Sequence, residues 1–121
     1  IREVKSGRTL IIAPDIDLGP RDSIFVPFFN IPTSTVTSVS RLAKLSGAEV
    51  CLMTTVLNPS KSGYICEISA PLPNFPSDNP DADTALLNQY IEELVRQRPA
   101  EYYWVHKRFK HRPPGQPSLY N

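Results

Sequence analysis

Between Asp78 and Pro99 the sequence specifies one amphipathic helix with both ends marked. Asp78-Asn79-Pro80-Asp81 supplies a capping side chain, a proline for the first turn and acids beside the positive end of the helix dipole. Pro99 stops it. Leu86, Leu87, Tyr90, Ile91, Leu94 and Val95 recur on one face, and Gln89, Glu92, Glu93, Arg96 and Gln97 on the other. A helix sided in this way is stable only against a second apolar layer. The segments before it read as that layer.

Thr9-Leu10-Ile11-Ile12-Ala13 is a continuous apolar run stopped by Pro14, expected as a strand buried on both faces. Residues 1–5 read as the end of a preceding helix, with Ser6-Gly7 as the turn. Residues 15–22 form a polar loop bent at Gly19-Pro20. Residues 23–29 are strongly apolar, but Pro27 confines them to an edge strand or a loop over the core. Val36, Val39, Leu42 and Ala43 recur at helical spacing and place a helix over residues 33–46, with Gly47 at its C-cap. Residues 48–57 and 64–70 form an antiparallel hairpin around the turn 58–63, with Leu57 opposite Tyr64. The fold class is α/β: a partial mixed sheet with flanking helices, in which residues 9–13 and 48–57 run parallel. Three strands make a poor sheet for that connection, so the 121 residues are expected to be part of something longer.

The hairpin register puts Cys66 opposite Thr55 and Cys51 opposite Ala70, so the two cysteines do not face each other. No disulfide and a reducing compartment are expected, and no CxxC spacing suggests zinc. No stretch approaches the roughly 20 apolar residues that span a bilayer, and the opening residues do not read as a signal peptide. No metal or cofactor is expected.

Charge is distributed unevenly. The chain has 13 Lys and Arg against 12 Asp and Glu, a formal +1. Four of those cations, Lys107, Arg108, Lys110 and Arg112, stand together in Tyr102-Tyr103-Trp104-Val105-His106-Lys107-Arg108-Phe109-Lys110-His111-Arg112. Without them the chain carries −3. Residues 99–121 thus form a basic, aromatic, Pro-rich tail suited to an anionic partner with an apolar neighbour, such as a phosphorylated lipid or a membrane surface. Rings between cations could also stack on single-stranded bases. The acidic balance of the rest and the lack of an RNA-binding motif argue against nucleic acid.

The loop Pro14-Asp15-Ile16-Asp17-Leu18-Gly19-Pro20-Arg21 follows the first apolar run, where α/β proteins place ligand sites. Asp15, Asp17 and Arg21 could bind a metal, act as acid and base, or hold a phosphate, for which the arginine fork is suited. Equally, Asp17 and Arg21 could pair and pin the loop. His106 and His111 are the only histidines, both among cations, and no Ser/His/Asp pattern or phosphate loop accompanies them. Packing or hydrogen bonding suits them better than catalysis. Trp104 and Tyr103 could stack on a ligand or anchor the tail to the core.

Together these segments are similar to a known family. Ala13-Pro14-Asp15-Ile16-Asp17-Leu18-Gly19-Pro20-Arg21-Asp22-Ser23-Ile24-Phe25-Val26-Pro27-Phe28-Phe29 resembles the central motif of the bacterial lipid A biosynthesis (late) acyltransferases of the lauroyl/myristoyl type. Residues 99–120, with Glu101-Tyr102-Tyr103-Trp104-Val105-His106-Lys107-Arg108-Phe109-Lys110 and Arg112-Pro113-Pro114-Gly115, resemble its C-terminal signature. Where that family usually has a proline after Ser-Gly-Ala, this chain reads Glu49-Val50-Cys51-Leu52.

The resemblance implies that residues 1–121 are the C-terminal portion of one glycerolipid-acyltransferase-like domain. It implies transfer of a fatty acyl group from acyl carrier protein to a lipid A precursor at the cytoplasmic face of the bacterial inner membrane. The family's His-x-x-x-x-Asp/Glu dyad is expected upstream of residue 1, since no histidine precedes His106, leaving this portion inactive alone. Arg21 then corresponds to the arginine that holds acceptor phosphate, with Asp15 or Asp17 shaping the site. Trp104, His106, Lys107, Arg108 and Lys110 are the substrate-side candidates of the tail. The alternative is a non-catalytic module binding anionic lipid or nucleic acid.

Overall fold

The computed structural model describes residues 1–60 and 62–121. In chain order these form α1 (Arg2–Lys5), β1 (Ser23–Phe28), β2 (Ile31–Val36), α2 (Ser38–Ser46), β3 (Met53–Leu57), β4 (Tyr64–Ile68) and α3 (Pro80–Gln97). Single 3-10 turns at Pro99–Glu101 and Trp104–His106 follow α3. The architecture is mixed α/β, but the expected partial mixed sheet is absent: among the described residues there are two separate antiparallel hairpins, β1–β2 and β3–β4.

The run 9–13 is not a strand. Leu10 and Ile11 lie open to solvent, and only Ile12 packs against the core of Val39, Leu72 and Leu87. Apolar composition is therefore met without a paired neighbour, and no parallel partnership with residues 48–57 forms among the described residues.

The β1–β2 hairpin corrects the expected helix over 33–46. Its register pairs Ser23 with Val36 and Phe28 with Ile31, leaving the two-residue turn Phe29-Asn30. Both turn residues have positive φ (49° and 61°), the geometry whose twist matches flanking strands. Pro27 faces Pro32 one step from the closing pair, which in an alternating ladder is a non-hydrogen-bonded position. Neither proline then forfeits a ladder bond. The Ser/Thr-rich stretch joins β1 as a strand, and the helix starts only at Ser38. Gly47 caps it in the left-handed conformation (φ 72°), as expected.

In the second hairpin Leu57 pairs with Tyr64 and Thr55 with Cys66, as read from the sequence. The regular ladder ends at Met53–Ile68, so Cys51 lies beyond it; both cysteines are free and exposed. Lys61, within the expected turn, lies outside the described residues. Met53, Thr55, Leu57, Tyr64, Cys66 and Ile68 share one uncharged face that is open to solvent.

Helix α3 begins as its sequence dictates. Asn79 accepts from the amides of Asp81 and Ala82 at 3.1 Å, with Pro80 in the first turn. Leu87 and Val95 are buried, Leu86, Tyr90, Ile91 and Leu94 half-buried, and Gln89 and Glu93 exposed. The polar residues Asp83, Thr84 and Asn88 are also buried. Glu92, expected on the wet face, is half-buried, and its Oε1 accepts from the Phe29 amide at 2.8 Å.

Asp83 ties α3 to α2. Burial opposes its ionisation, but hydrogen bonds from the Ser40 hydroxyl at 2.5 Å and the Ser77 amide at 3.0 Å, with the Lys44 charge, outweigh it. The carboxyl is held below the ordinary 3.8. A depressed folded value contributes stability in full above the unfolded value and loses it as pH falls through the folded one. Asp83→Asn should therefore flatten the loss of Tm on acidification below about pH 4. Parallel Tm-against-pH curves for the two proteins would contradict this.

No helix among the described residues is long and apolar enough to cross a membrane.

Candidate functional site

The loop 14–22 and the tail after Pro99 meet on the β1–β2 hairpin. Their contact is built around Phe28, which is fully buried beneath the rings of Phe29, Tyr102 and Phe109 at centroid distances of 4.8, 6.0 and 6.0 Å. This aromatic packing fixes the tail as an ordered strap. The tail then takes hold of the loop at successive points.

At Asp15, the Tyr102 hydroxyl donates to Oδ2 at 2.9 Å, and His106 Nε2 donates to the main-chain carbonyl at 3.0 Å. His106 Nδ1 sits against the Tyr103 carbonyl. Burial, reinforced by the Asp15 carboxylate, pushes the Tyr102 phenol far above its usual range, so the hydroxyl remains a donor.

At Asp17 the side chain is wholly buried, and both oxygens accept hydrogen bonds. Oδ1 accepts from the Gly19 amide at 3.0 Å and His111 Nδ1 at 2.7 Å, while Oδ2 accepts from the His111 amide at 2.8 Å. Gly19 turns the loop at φ 98°, a conformation that disfavours any side chain. Its carbonyl accepts from Ser34 Oγ at 3.0 Å.

Ser34 is in turn held by Arg108. The guanidinium is fully buried and donates to Ser34 O at 2.7 Å, Thr35 Oγ1 at 2.8 Å and Asn88 Oδ1 at 3.3 Å. Asn88 also donates to Pro27 O at 3.0 Å. Arg108 lies 5.2 Å from the Phe28 ring centroid, and its Nε has no partner among the described residues. Desolvation pulls its pKa down, opposed by the charges of Asp15 and Asp17. One buried cation thus sits behind two carboxylates, joined to them through β2 and the tail.

Several expectations change as a result. Asp17 does not pair with Arg21: it is buried against His111 and Gly19, whereas Arg21 is exposed. Arg108 is not a surface cation, since the peptide carbonyl and two side-chain oxygens take its fork. Arg112 is half-buried, donating to Pro32 O at 2.7 Å and Gln116 Oε1 at 2.5 Å. Lys107 is exposed beside the Tyr120 ring, and Lys110 is exposed. None of the four tail cations forms an ion pair with an acid among the described residues. Trp104 is partly exposed, and its indole donates to Pro99 O at 2.8 Å while packing edge-on to Tyr102.

Arg21 stands at the end of the clamped loop, exposed and without an ion-pair partner among the described residues. The arrangement leaves an exposed arginine just beyond a loop tied down at Asp15, Asp17 and Gly19.

Comparison with known proteins bears on what such an arrangement serves. Residues 1–111, which include every clamp partner through His111, match the bacterial lipid A biosynthesis acyltransferase family. The chain belongs to that family. It is 38% identical over 123 residues to the lipid A biosynthesis lauroyltransferase of Escherichia coli strain K12, covering 99% of this chain and 40% of that protein. To the palmitoleoyltransferase of the same strain it is 39% identical over 120 residues, covering 97% and 38% respectively. To the myristoyltransferase of that strain it is 28% identical, covering 99% and 37%. This family member therefore spans about two fifths of the length of the curated relatives it matches.

Ser34, Thr35 and Asn88, which carry the clamp, were not legible as site residues. His111 was expected only to pack or hydrogen bond, and its carboxylate partner was not specified. The one available signal was the excess of Ser and Thr at 33–37, too polar for an ordinary buried strand.

Proposed function

We propose that this chain is the acceptor-side part of an acyltransferase of lipid A biosynthesis. The whole protein transfers a fatty acyl group from acyl carrier protein to a hydroxyl of a lipid A precursor, at the cytoplasmic face of the inner membrane. The supporting observation is the clamp: the two stretches that resemble the family's motifs converge, and together they leave Arg21 outward. A loop held in this way fixes where the Arg21 main chain stands, and charge-assisted bidentate contacts from its guanidinium to a phosphate orient the acceptor.

Asp15 and Asp17 act in this reading as loop-shaping groups, Asp15 accepting from Tyr102 and Asp17 from Gly19 and His111. The His-x-x-x-x-Asp/Glu dyad that removes the acceptor's proton belongs to the part of the protein outside this chain. His106 and the Nδ1 of His111 are committed to the clamp. Lys107 and Lys110 face solvent and serve an anionic membrane surface, each contributing about 1 kcal/mol.

In the full-length enzyme, Arg21→Ala should lower kcat/KM for the phosphorylated acceptor about ten- to a hundredfold, equivalent to roughly 1.5–3 kcal/mol. Tm should stay within a degree or two, because the side chain is exposed. Unchanged kinetics would remove Arg21 from the acceptor site.

A further inference from the structure

His111 has a nitrogen that the clamp does not use. Its backbone amide and Nδ1 both donate to Asp17, at 2.8 and 2.7 Å. Nε2 has no hydrogen-bond partner among the described residues, and it is open to solvent, as is about a third of the side chain. The amide alone already pins residue 111 to Asp17.

The outer edge of the ring has a definite position. A Cβ placed on Gly19 would lie 3.7 Å from His111 Cε1 and 3.9 Å from Nε2. The imidazole edge therefore rests over Gly19, two residues before Arg21, or at most about 7 Å along the chain. Such a Cβ would meet the ring in ordinary van der Waals contact, and it is the φ of 98° that calls for glycine here. The wholly buried Asp17 carboxylate supplies a counter-charge on the opposite side of the ring. With both nitrogens protonated, Nε2–H becomes an outward donor whose positive charge is already compensated from behind.

We propose that His111 Nε2 is a second anion-binding group, taking a phosphate-monoester oxygen of the acceptor alongside the Arg21 fork. This rests on the reading of the Arg21 loop as the acceptor's phosphate site, and it assigns that site a second donor. Asp17 is then a positioning residue that fixes the ring by its Nδ1 side and leaves Nε2 to the ligand.

The test uses the full-length enzyme with a lipid A-type acceptor, phosphorylated or enzymatically dephosphorylated. In His111→Asn the amide nitrogen replaces Nδ1 and can keep the bond to Asp17, while Nε2 is deleted. In His111→Gln the amide reaches the Nε2 position instead. His111→Asn should raise KM for the phosphorylated acceptor about tenfold, the loss of one charge-assisted hydrogen bond, with kcat and Tm little changed. On the dephosphorylated acceptor it should match wild type, and His111→Gln should recover most of the lost affinity. A wild-type KM in His111→Asn overturns the proposal, as does an equal KM increase on both acceptors, which would mark a purely structural ring. Arg21→Ala assayed in parallel separates the two readings. If Arg21→Ala distinguishes the acceptors and His111→Asn does not, only the His111 assignment fails. If wild type itself treats both acceptors alike, the phosphate reading of the loop fails and takes this one with it.

Discussion

Replacing Arg108 by methionine is expected to destabilise the protein by about 3–5 kcal/mol, although the side chain never reaches the surface. The volume is nearly kept, so the cost arises from the acceptors left behind. Ser34 O and Asn88 Oδ1 are buried and lose this donor together, while Thr35 Oγ1 keeps only its bond from Asn88 Nδ2 at 3.2 Å. Asp15 and Asp17 lose the buried positive charge that acts on them. Arg108→Lys should recover only part of the loss, because one ammonium cannot serve three acceptors spread along a planar fork. Urea unfolding of the three proteins, read by far-ultraviolet circular dichroism, measures this. A shift of the methionine variant below 1 kcal/mol would show that the network contributes little.

Asp17→Ala should be the most damaging change within the loop. It deprives the Gly19 amide, the His111 amide and His111 Nδ1 of one common acceptor, at a cost of about 3 kcal/mol in folding stability. The effect on turnover should be larger than that of Arg21→Ala, since the loop that presents Arg21 is released along with His111. Steady-state kinetics and a melting curve on the same preparation would separate the two contributions. A variant with wild-type kcat/KM would mean that Arg21 reaches its ligand without the clamp.

The elements that local chemistry dictates were legible in the sequence. Asn79-Pro80 started α3, Gly47 ended α2, and the Leu57–Tyr64 register followed from a turn between an apolar run and an alternating one. The failures have a common cause. Residues 9–13 have strand composition without a described neighbour to pair with, and residues 33–36 have a partial helical period but pair with β1. In both cases tertiary context overrides propensity. The site was legible in part: the loop and the tail were each conspicuous, while their contact was not. Arg108 looked like one of four equivalent surface cations, and nothing within its own decapeptide marks it as buried. Its acceptors lie 73 and 74 residues earlier in β2 and 20 earlier in α3.

Those separations bear on the order in which the molecule acquires its shape. Tyr102 meets Asp15 across 87 residues and His111 meets Asp17 across 94, whereas each hairpin closes through a short connection. Closing such long loops costs entropy before any contact offsets it. The hairpins and α3 should therefore form first, with the tail docking as a late step. Until it docks, Asp15 and Asp17 are acids on an open loop, and Arg108 is an ordinary solvated cation. The loop that carries Arg21 is completed only when the last stretch of the strap is laid down, so a chain shortened before His111 would fold most of its elements and still leave Asp17 without its partner.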